Sequence, residues 1–423
     1  MKLEIDQERL IRELDALGAI SAEAPPVVTR VVFTEADLRG REFVKKLCRE
    51  AGLAIREDAV GNTFARWRGE DADLAPVATG SHIDAIPNAG RFDGTVGVLG
   101  GLEAIRALAR TGHRPRRSIE LVIFTSEEPT RFGIGCLGSR LLSGLLDPVA
   151  ADQYKDRDGV TLANARRTAG FDGPLLSVRL PPGYYSAFIE MHIEQGPLLE
   201  RHNVPLGVVT AIAAPASLKI SVEGEGGHAG AVLMSERHDA FLAAAEIALA
   251  VEHSARSSGS PDTVATVGVC ELFPGAVNSI PSGVRMDVDV RDIDEARRDS
   301  ALRKIEQACQ EIALRRGVQA RMQLVNADPP GRCAPAVVDG LVQSSETHGL
   351  RFERMISRAY HDSLFMSRIA PAAMLFIPCR GGVSHRPDEY ASPEAIAQGT
   401  LVLAEALKLF SGPIESLPGD PRG

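Results

Sequence analysis

Cysteine is sparse in this chain and carries no pattern. The six residues, Cys48, Cys136, Cys270, Cys309, Cys333 and Cys379, include no CxxC pair, which speaks against a thiolate zinc cluster and a disulfide framework alike. Excess positive charge is absent too: 47 Lys and Arg face 56 Asp and Glu, for a formal net charge of −9 and a pI near 5.7. That balance argues against nucleic acid or an anionic membrane surface as a general partner, while allowing a local cationic site. No stretch approaches the roughly 18 consecutive apolar residues that cross a bilayer. The N-terminal MKLEIDQERLIRELDALGAI is amphipathic, too acidic for a transit peptide, and lacks the unbroken apolar core of a secretory signal. Internal repeats and low-complexity segments are missing as well. The expectation is a reduced, cytoplasmic protein. Its 423 residues, 44% hydrophobic and 24% charged, imply two domains with chain enough for a core in each.

What is present is organised around residues 79–105, TGSHIDAIPNAGRFDGTVGVLGGLEAI. An apolar run over 75–78 ends in Thr79-Gly80-Ser81. It then presents His82 and Asp84, a Pro/Asn/Gly loop, and Asp93 just before a glycine-rich helix start. The pattern predicts a strand running into a metal-binding loop. His82 offers a neutral imidazole nitrogen, Asp93 a carboxylate able to bridge two ions, and Asp84 an acceptor for the other ring N–H of His82. In isolation the same side chains would serve equally as an ordinary polar loop, so the metal reading depends on donors elsewhere in the chain.

Apolar spacing predicts helices over 5–17 and 36–51, the second capped by Thr34, and short strands over 54–55 and 62–67. Residues 119–124 read as a buried strand delivering Glu127 and Glu128 side by side at its C-terminal end; alone, such a pair also suits a solvated strand end. With a helix over 96–111 between them, the two strands imply a parallel sheet with helices on its faces, where ligands sit at the carboxyl ends. Another strand, in YSAFIEMHIEQGPLLE, ends in His192, Glu194 and Gln195. From about residue 209 the texture turns and alternates, with strands over 263–273 and 284–291 and helices over 239–253 and 294–316. That order predicts an α+β sandwich, residues 209–327, inserted into a first domain made of 1–208 and 328–423. Beyond it, helices are expected over 337–347, 363–369 and 393–409, with a strand over 372–377 and a loop, GGVSHRPDEY, carrying His385.

His82, Asp93, Glu128 and His192 thus lie at or just beyond strand ends, and His385 in the loop after the last strand. Imidazole and carboxylate donors in this number suit two ions sharing a carboxylate, and suit zinc, manganese or cobalt. Glu127, beside a ligand and not needed as one, is placed to take a proton from water and pass it to a leaving amine.

The motifs GSHIDAIPNAGRFDG, SEEPTRFG, MHIEQGPLLE, GEGGHAG, RDIDEARR and SHRPDEY, in this order within about residues 33–410, resemble the amidase/hydantoinase-carbamoylase branch of the dinuclear metallopeptidase superfamily. His192 stands where the peptidase relatives place a carboxylate, which points to the ureido-hydrolysing branch. The resemblance implies an α/β fold: a phosphorylase/hydrolase-like di-metal catalytic domain with a mixed, mostly parallel sheet, and an inserted α+β sandwich serving as lid and dimerisation domain. It implies that His82, Asp93 and His192 hold one divalent ion and Asp93, Glu128 and His385 the other. The ions would be manganese in this subgroup and zinc elsewhere, with Glu127 as general base. It further implies that Arg291 and Asn278 grip a substrate carboxylate and that Gln195 hydrogen-bonds the ureido group. Tyr360 and His361 would line the pocket wall, and His228 of the partner subunit in a homodimer would stabilise the oxyanion. Plainer roles stay open for three of these: Arg291 paired with Asp289 or Asp292, His228 ordering its own glycine-rich turn, and Tyr360 packed in a core.

Within the branch, FTSEEPTRFGIGCLGSRLLSG, GVVTAIAAPASLK, GGHAGAVLM and ISRAYHDSLFMSRI are similar to the members that cleave ureidoglycolate. Ala231-Val232-Leu233-Met234 stands where carbamoylases read TTPM. The activity implied is hydrolysis of the ureido C–N bond of ureidoglycolate to glyoxylate, ammonia and carbon dioxide, a step of purine-derived ureide breakdown. N-carbamoyl-L-amino acid or allantoate hydrolysis by the same mechanism is the alternative, and a non-catalytic binding protein on the same fold a further one.

Overall fold

The computed structural model describes residues 2–412; residues 1 and 413–423 of the expected first domain lie outside the described range. The chain divides into two compact units, one running up to Thr210 and taking in Arg332–Ser357 and the chain from His361, the other Ala211–Gly331 with Arg358–Tyr360. The second unit therefore begins two residues later than the sequence implies, ends four later, and recovers a short segment from further on. That segment is anchored by Arg358, whose Nη2 donates to Asp262 Oδ1 at 2.8 Å.

The two large sheets are formed by β1 (Ala54–Glu57), β2 (Thr63–Trp67), β3 (Val77–His82), β4 (Ile119–Phe124), β5 (Ala187–Ile193), β6 (Leu206–Ile212), β7 (Ala214–Glu223), β8 (Val264–Phe273), β9 (Gly283–Asp292), β10 (Gln319–Ala327), β11 (Gly331–Arg332), β12 (Phe352–Ser357) and β13 (Ala372–Ile377). The first unit is built on a nine-stranded mixed sheet in the order β11-β6-β13-β5-β3-β4-β2-β1, with β12 also paired to β6. Its centre, β13-β5-β3-β4, is parallel, and β2 and β6 continue it antiparallel on either side. Runs such as IELVIF and AAMLFI leave no polar face, and both strands are buried throughout, as central parallel strands covered by helices on both sides must be.

Helix α1 (Thr95–Thr111) lies directly on this centre. Gly97 permits the approach, since a Cβ there would meet the Met191 carbonyl oxygen at 2.3 Å. A buried Arg30 ties the same region to the N-terminal helix, its guanidinium donating to the carbonyls of Leu17, Ile20 and Ile83 at 2.6–3.0 Å. Burial pulls this guanidinium down to about 10, against Asp37 and Asp84. Each carbonyl would cost about 1–3 kcal/mol if left buried and unpartnered, so Arg30 fixes the backbone between His82 and Asp84. The stretch read from sequence as a Pro/Asn/Gly loop is instead largely a strand, Ala85–Ala89, paired antiparallel with Val28–Arg30. Its partner lies more than fifty residues away, which local turn chemistry cannot report.

In the second unit β8-β9-β7-β10 form an antiparallel sheet. Alternation decides which face is covered: Val284, Met286, Val288 and Val290 of β9 are buried among residues of α2 (Ala240–Arg256) and α3 (Glu295–Arg316). Each such side chain contributes about 1.5–3 kcal/mol on full burial.

Candidate metal centre

Three neighbouring strands of the first unit deliver most of the site. His82 ends β3, Glu127 and Glu128 come shortly after β4, and His192 is the penultimate residue of β5. The β3–β5 register sets Val77 opposite Ala187 and Thr79 opposite Ile189. Carried on by three residues, it brings His82 level with His192, and the two rings stack with centroids 6.0 Å apart. Asp93 enters from the loop before α1 and His385 from the loop after β13. Gly94 makes the first of these possible: its φ is +67°, and a Cβ would lie 2.5 Å from His82 Nε2.

Asp93 divides its two oxygens. Oδ1 lies 3.1 Å from His192 Nε2 and 3.5 Å from His82 Nε2, while Oδ2 lies 3.3 Å from His385 Nε2. His385 Nε2 is in turn 3.2 Å from Glu128 Oε1. Two donor sets result, His82/Asp93/His192 and Asp93/Glu128/His385, each with its ligand atoms within 4.8 Å of one another. Such spacing fits donors about 2.0–2.2 Å from a shared cation. Glu127 belongs to neither set; its Oε2 is 3.8 Å from His82 Nε2 and its Oε1 3.6 Å from the Cys136 thiol.

Hydrogen bonds behind the imidazoles aim them. His82 Nδ1 lies 3.0 Å from the Asp84 carbonyl and His192 Nδ1 2.9 Å from the Ile193 carbonyl. Nδ1 donates in each case, which turns both Nε2 atoms toward Asp93. Asp84 thus accepts the other ring N–H of His82 as expected, and the accepting atom is its backbone carbonyl. The carboxylate lies 3.7 Å away from Nδ1 and accepts instead from the backbone N–H groups of Glu127 and Glu128 at 3.2 and 3.0 Å. A two-residue spacing favours the nearby carbonyl and frees the side chain to fix the turn that presents both glutamates.

Crowding sets the electrostatics. Burial alone would lower His82 and His192, yet neighbouring carboxylates, Glu127 first for His82 and Asp93 for His192, hold both above the usual imidazole range. Asp93 and Glu128 push His385 up to about 11. Burial would raise Asp93, but His192, His385 and His82 outweigh it and hold the carboxylate well below its ordinary range. Glu127 goes the other way: burial, with Glu128, Asp362 and Asp93 nearby, raises it well above an ordinary glutamate. A proton and a divalent cation compete for the same places between imidazole and carboxylate, so raised imidazoles and a ligand role are two faces of one negative pocket.

Sequence reasoning missed several members. Glu389 is buried, accepts from the backbone N–H of Phe92 and Asp93, and lies 3.0 Å from Ser384 Oγ. Glu190, bonded by Ser81 and Ser363, sits two residues before His192. An acid and a histidine alternating inside the otherwise apolar AFIEMHI was the available signal. Asp362 pairs with Ser139, and burial raises it well above the carboxylate range. Ser126, Cys136, Gln195 and His385 all hold left-handed backbone, with φ between 54° and 58°, a cost concentrated where the site is formed.

Of the proposed substrate contacts, Gln195 donates from Nε2 to Asp93 Oδ2 at 2.8 Å, while its Oε1 is buried without a hydrogen-bond partner. His361 is buried with its ring 4.5 Å from that of His192, backing a candidate ligand from behind. In the second unit, Arg291 forms a two-pronged pair with Asp289 at 2.7 and 3.3 Å and lies 5.6 Å from the Tyr360 ring. Asp292 is taken by Arg297 and Thr263. His228 is exposed, and its Nδ1 accepts from the Gly230 N–H at 3.1 Å, so it does order its own turn. The Asn278 carbonyl accepts from Ala229, which links it to the same turn.

Residues 78–409 match Peptidase family M20/M25/M40. The chain belongs to this family. M20 proteins are metal-dependent, in keeping with the paired donor sets. This M20 chain is 51% identical over 412 residues to a ureidoglycolate hydrolase of Oryza sativa subsp. japonica, covering 96% of this chain and 85% of that one. Identity is 52% over 416 residues to a ureidoglycolate hydrolase of Arabidopsis thaliana, covering 97% and 87%. Crystal structures of AtUAH with glyoxylate and with (S)-hydroxyglycine are similar at 52% and 51% identity, each with a TM-score of 0.90 and coverage of 97% of this chain and 98% of that one.

Proposed function

We propose that the protein hydrolyses the ureido C–N bond of ureidoglycolate, releasing one ammonia and carbon dioxide and leaving hydroxyglycine, whose hydroxyl and amine share one carbon, so that it expels a second ammonia to give glyoxylate. The observation that carries the reading is Asp93, whose two oxygens face two separate donor sets. Relatives named for ureidoglycolate, and the occupants of the AtUAH crystals, supply the substrate class. His82, Asp93 and His192 would hold one ion and Asp93, Glu128 and His385 the other. Manganese is our choice, and zinc also suits these ligands. When bound, such ions polarise a carbonyl and acidify water.

Glu127 takes the proton of the attacking water and returns it to the leaving amine, a role suited to a carboxyl that burial holds above its ordinary range. Gln195 Oε1 accepts an N–H of the ureido group, the one open acceptor on a side chain otherwise fixed to Asp93. Arg291 and Asn278 recognise the substrate acid, which requires the Arg291 fork to exchange Asp289 for the ligand. Tyr360 reads the 2-hydroxyl, and His228 acts in a homodimer from the partner subunit. Six free thiols suit the reducing cytoplasm; no helix of the described residues is long and apolar enough to cross a membrane.

The test is ammonia release from ureidoglycolate, allantoate and several N-carbamoyl-L-amino acids at equal enzyme after manganese loading. Ureidoglycolate is expected to give the highest kcat/KM. Preference for another substrate would reassign the protein within its branch, and no bound metal with no hydrolysis would leave a binding protein. Arg291→Lys is expected to raise KM for ureidoglycolate about 10–100-fold with a smaller change in kcat, because a point charge replaces a planar fork. An unaltered KM would move acid recognition to another side chain.

A further inference from the structure

We propose that Glu389 and Ser384 are positioning residues that set the second cation position, the one formed by Asp93, Glu128 and His385. The inference rests on the dinuclear reading of the site. The two positions are held by different means. His82 and His192 have side chains 1% and 0% exposed, stand on adjacent β3 and β5, and are oriented by the carbonyls of Asp84 and Ile193. His385 has neither support: its side chain is 46% exposed, it lies in a loop, and its backbone is left-handed at φ +58°.

Glu389 supplies what the loop lacks. Its Oε1 accepts from the backbone N–H of Phe92 at 2.8 Å and of Asp93 at 3.1 Å. Its Oε2 lies 3.0 Å from Ser384 Oγ, which is also 2.7 Å from Asp93 Oδ2. That oxygen of Asp93 is the one facing His385. One buried carboxylate therefore joins the Asp93 loop to the His385 loop, segments almost 300 residues apart in the chain. The packing has no slack, because Gly90 lies so close that a Cβ there would meet the Glu389 Cβ at 2.3 Å. Without the tie, His385 and Asp93 Oδ2 lose their common reference, while Asp93 Oδ1 keeps its place between two strand-borne imidazoles.

The experiment is manganese titration of the full-length protein, following bound ions per chain by elemental analysis and binding by calorimetry. Wild type, Glu389→Ala, Glu389→Gln and Ser384→Ala are compared. Wild type is expected to bind two ions. In Glu389→Ala one ion keeps its affinity within about threefold and the other weakens about 10–100-fold, the usual cost of losing a partner behind a ligand. Glu389→Gln, which retains one acceptor oxygen, falls between, and Ser384→Ala shifts the same ion by less. If Glu389→Ala does not fold, as judged by circular dichroism, Ser384→Ala carries the comparison. Two ions at wild-type affinity in the folded variants, or equal weakening of both, overturns the inference. A wild-type protein that binds fewer than two ions overturns the dinuclear reading itself.

Discussion

Glu127→Gln is expected to keep both divalent ions and to lose turnover by about a thousandfold. The substitution preserves shape and removes one property, the ability to carry a proton. Glu127 lies outside both donor sets, so the metal content of the variant should match wild type by elemental analysis. KM should move little, since the loss falls on the transition state rather than on ground-state binding. The size comes from what positioned acid–base groups contribute, about 10²–10⁴-fold. Unchanged kcat would show that another group moves the proton, and loss of metal would make Glu127 a ligand.

Much of this centre is legible in the amino-acid sequence, for a definite reason. Central parallel strands are buried on both faces, so IELVIF and AFIEMHI stand out as mainly apolar runs, the short apolar run over 75–78 leads into VATGSH, and polar residues at or near the strand ends mark the place where ligands collect. The caps are equally local: Thr34 accepts from the Asp37 N–H as its position before a helical run predicts. The members that sequence reasoning misses depend on partners distant in the chain. Glu389 acts on backbone N–H groups nearly 300 residues earlier, and Arg30 on Ile83. No spacing rule reaches so far. Asp84 accepts from His82 as its spacing implies, but sequence does not distinguish a residue's carbonyl from its carboxylate, so the second task of its side chain, holding the Glu127 and Glu128 N–H groups, is not legible there. Arg291 shows a third kind of limit, since an arginine that grips a substrate acid and one that pairs with Asp289 occupy the same strand position.

Asp93→Asn should behave oppositely to Glu127→Gln, losing both ions and all turnover above background. An amide offers one oxygen where the carboxylate offers two, and it withdraws the charge from between His82, His192 and His385. Each donor set falls to two good ligands, too few for either ion. The metal-free proteins give a second readout. In wild type the three imidazoles hold Asp93 well below the usual carboxylate range. A depressed carboxylate contributes stability above its unfolded pKa of about 3.9, and that stability is lost as pH falls through the lower folded value. Metal-free wild type should therefore melt above metal-free Asp93→Asn at pH 7, with the gap closing only below about pH 3.9. Thermal melts of the two proteins across pH, alongside metal analysis, check both parts. Two ions retained in Asp93→Asn would mean that the donor sets do not share this carboxylate, and the site would have to be rebuilt as two independent centres.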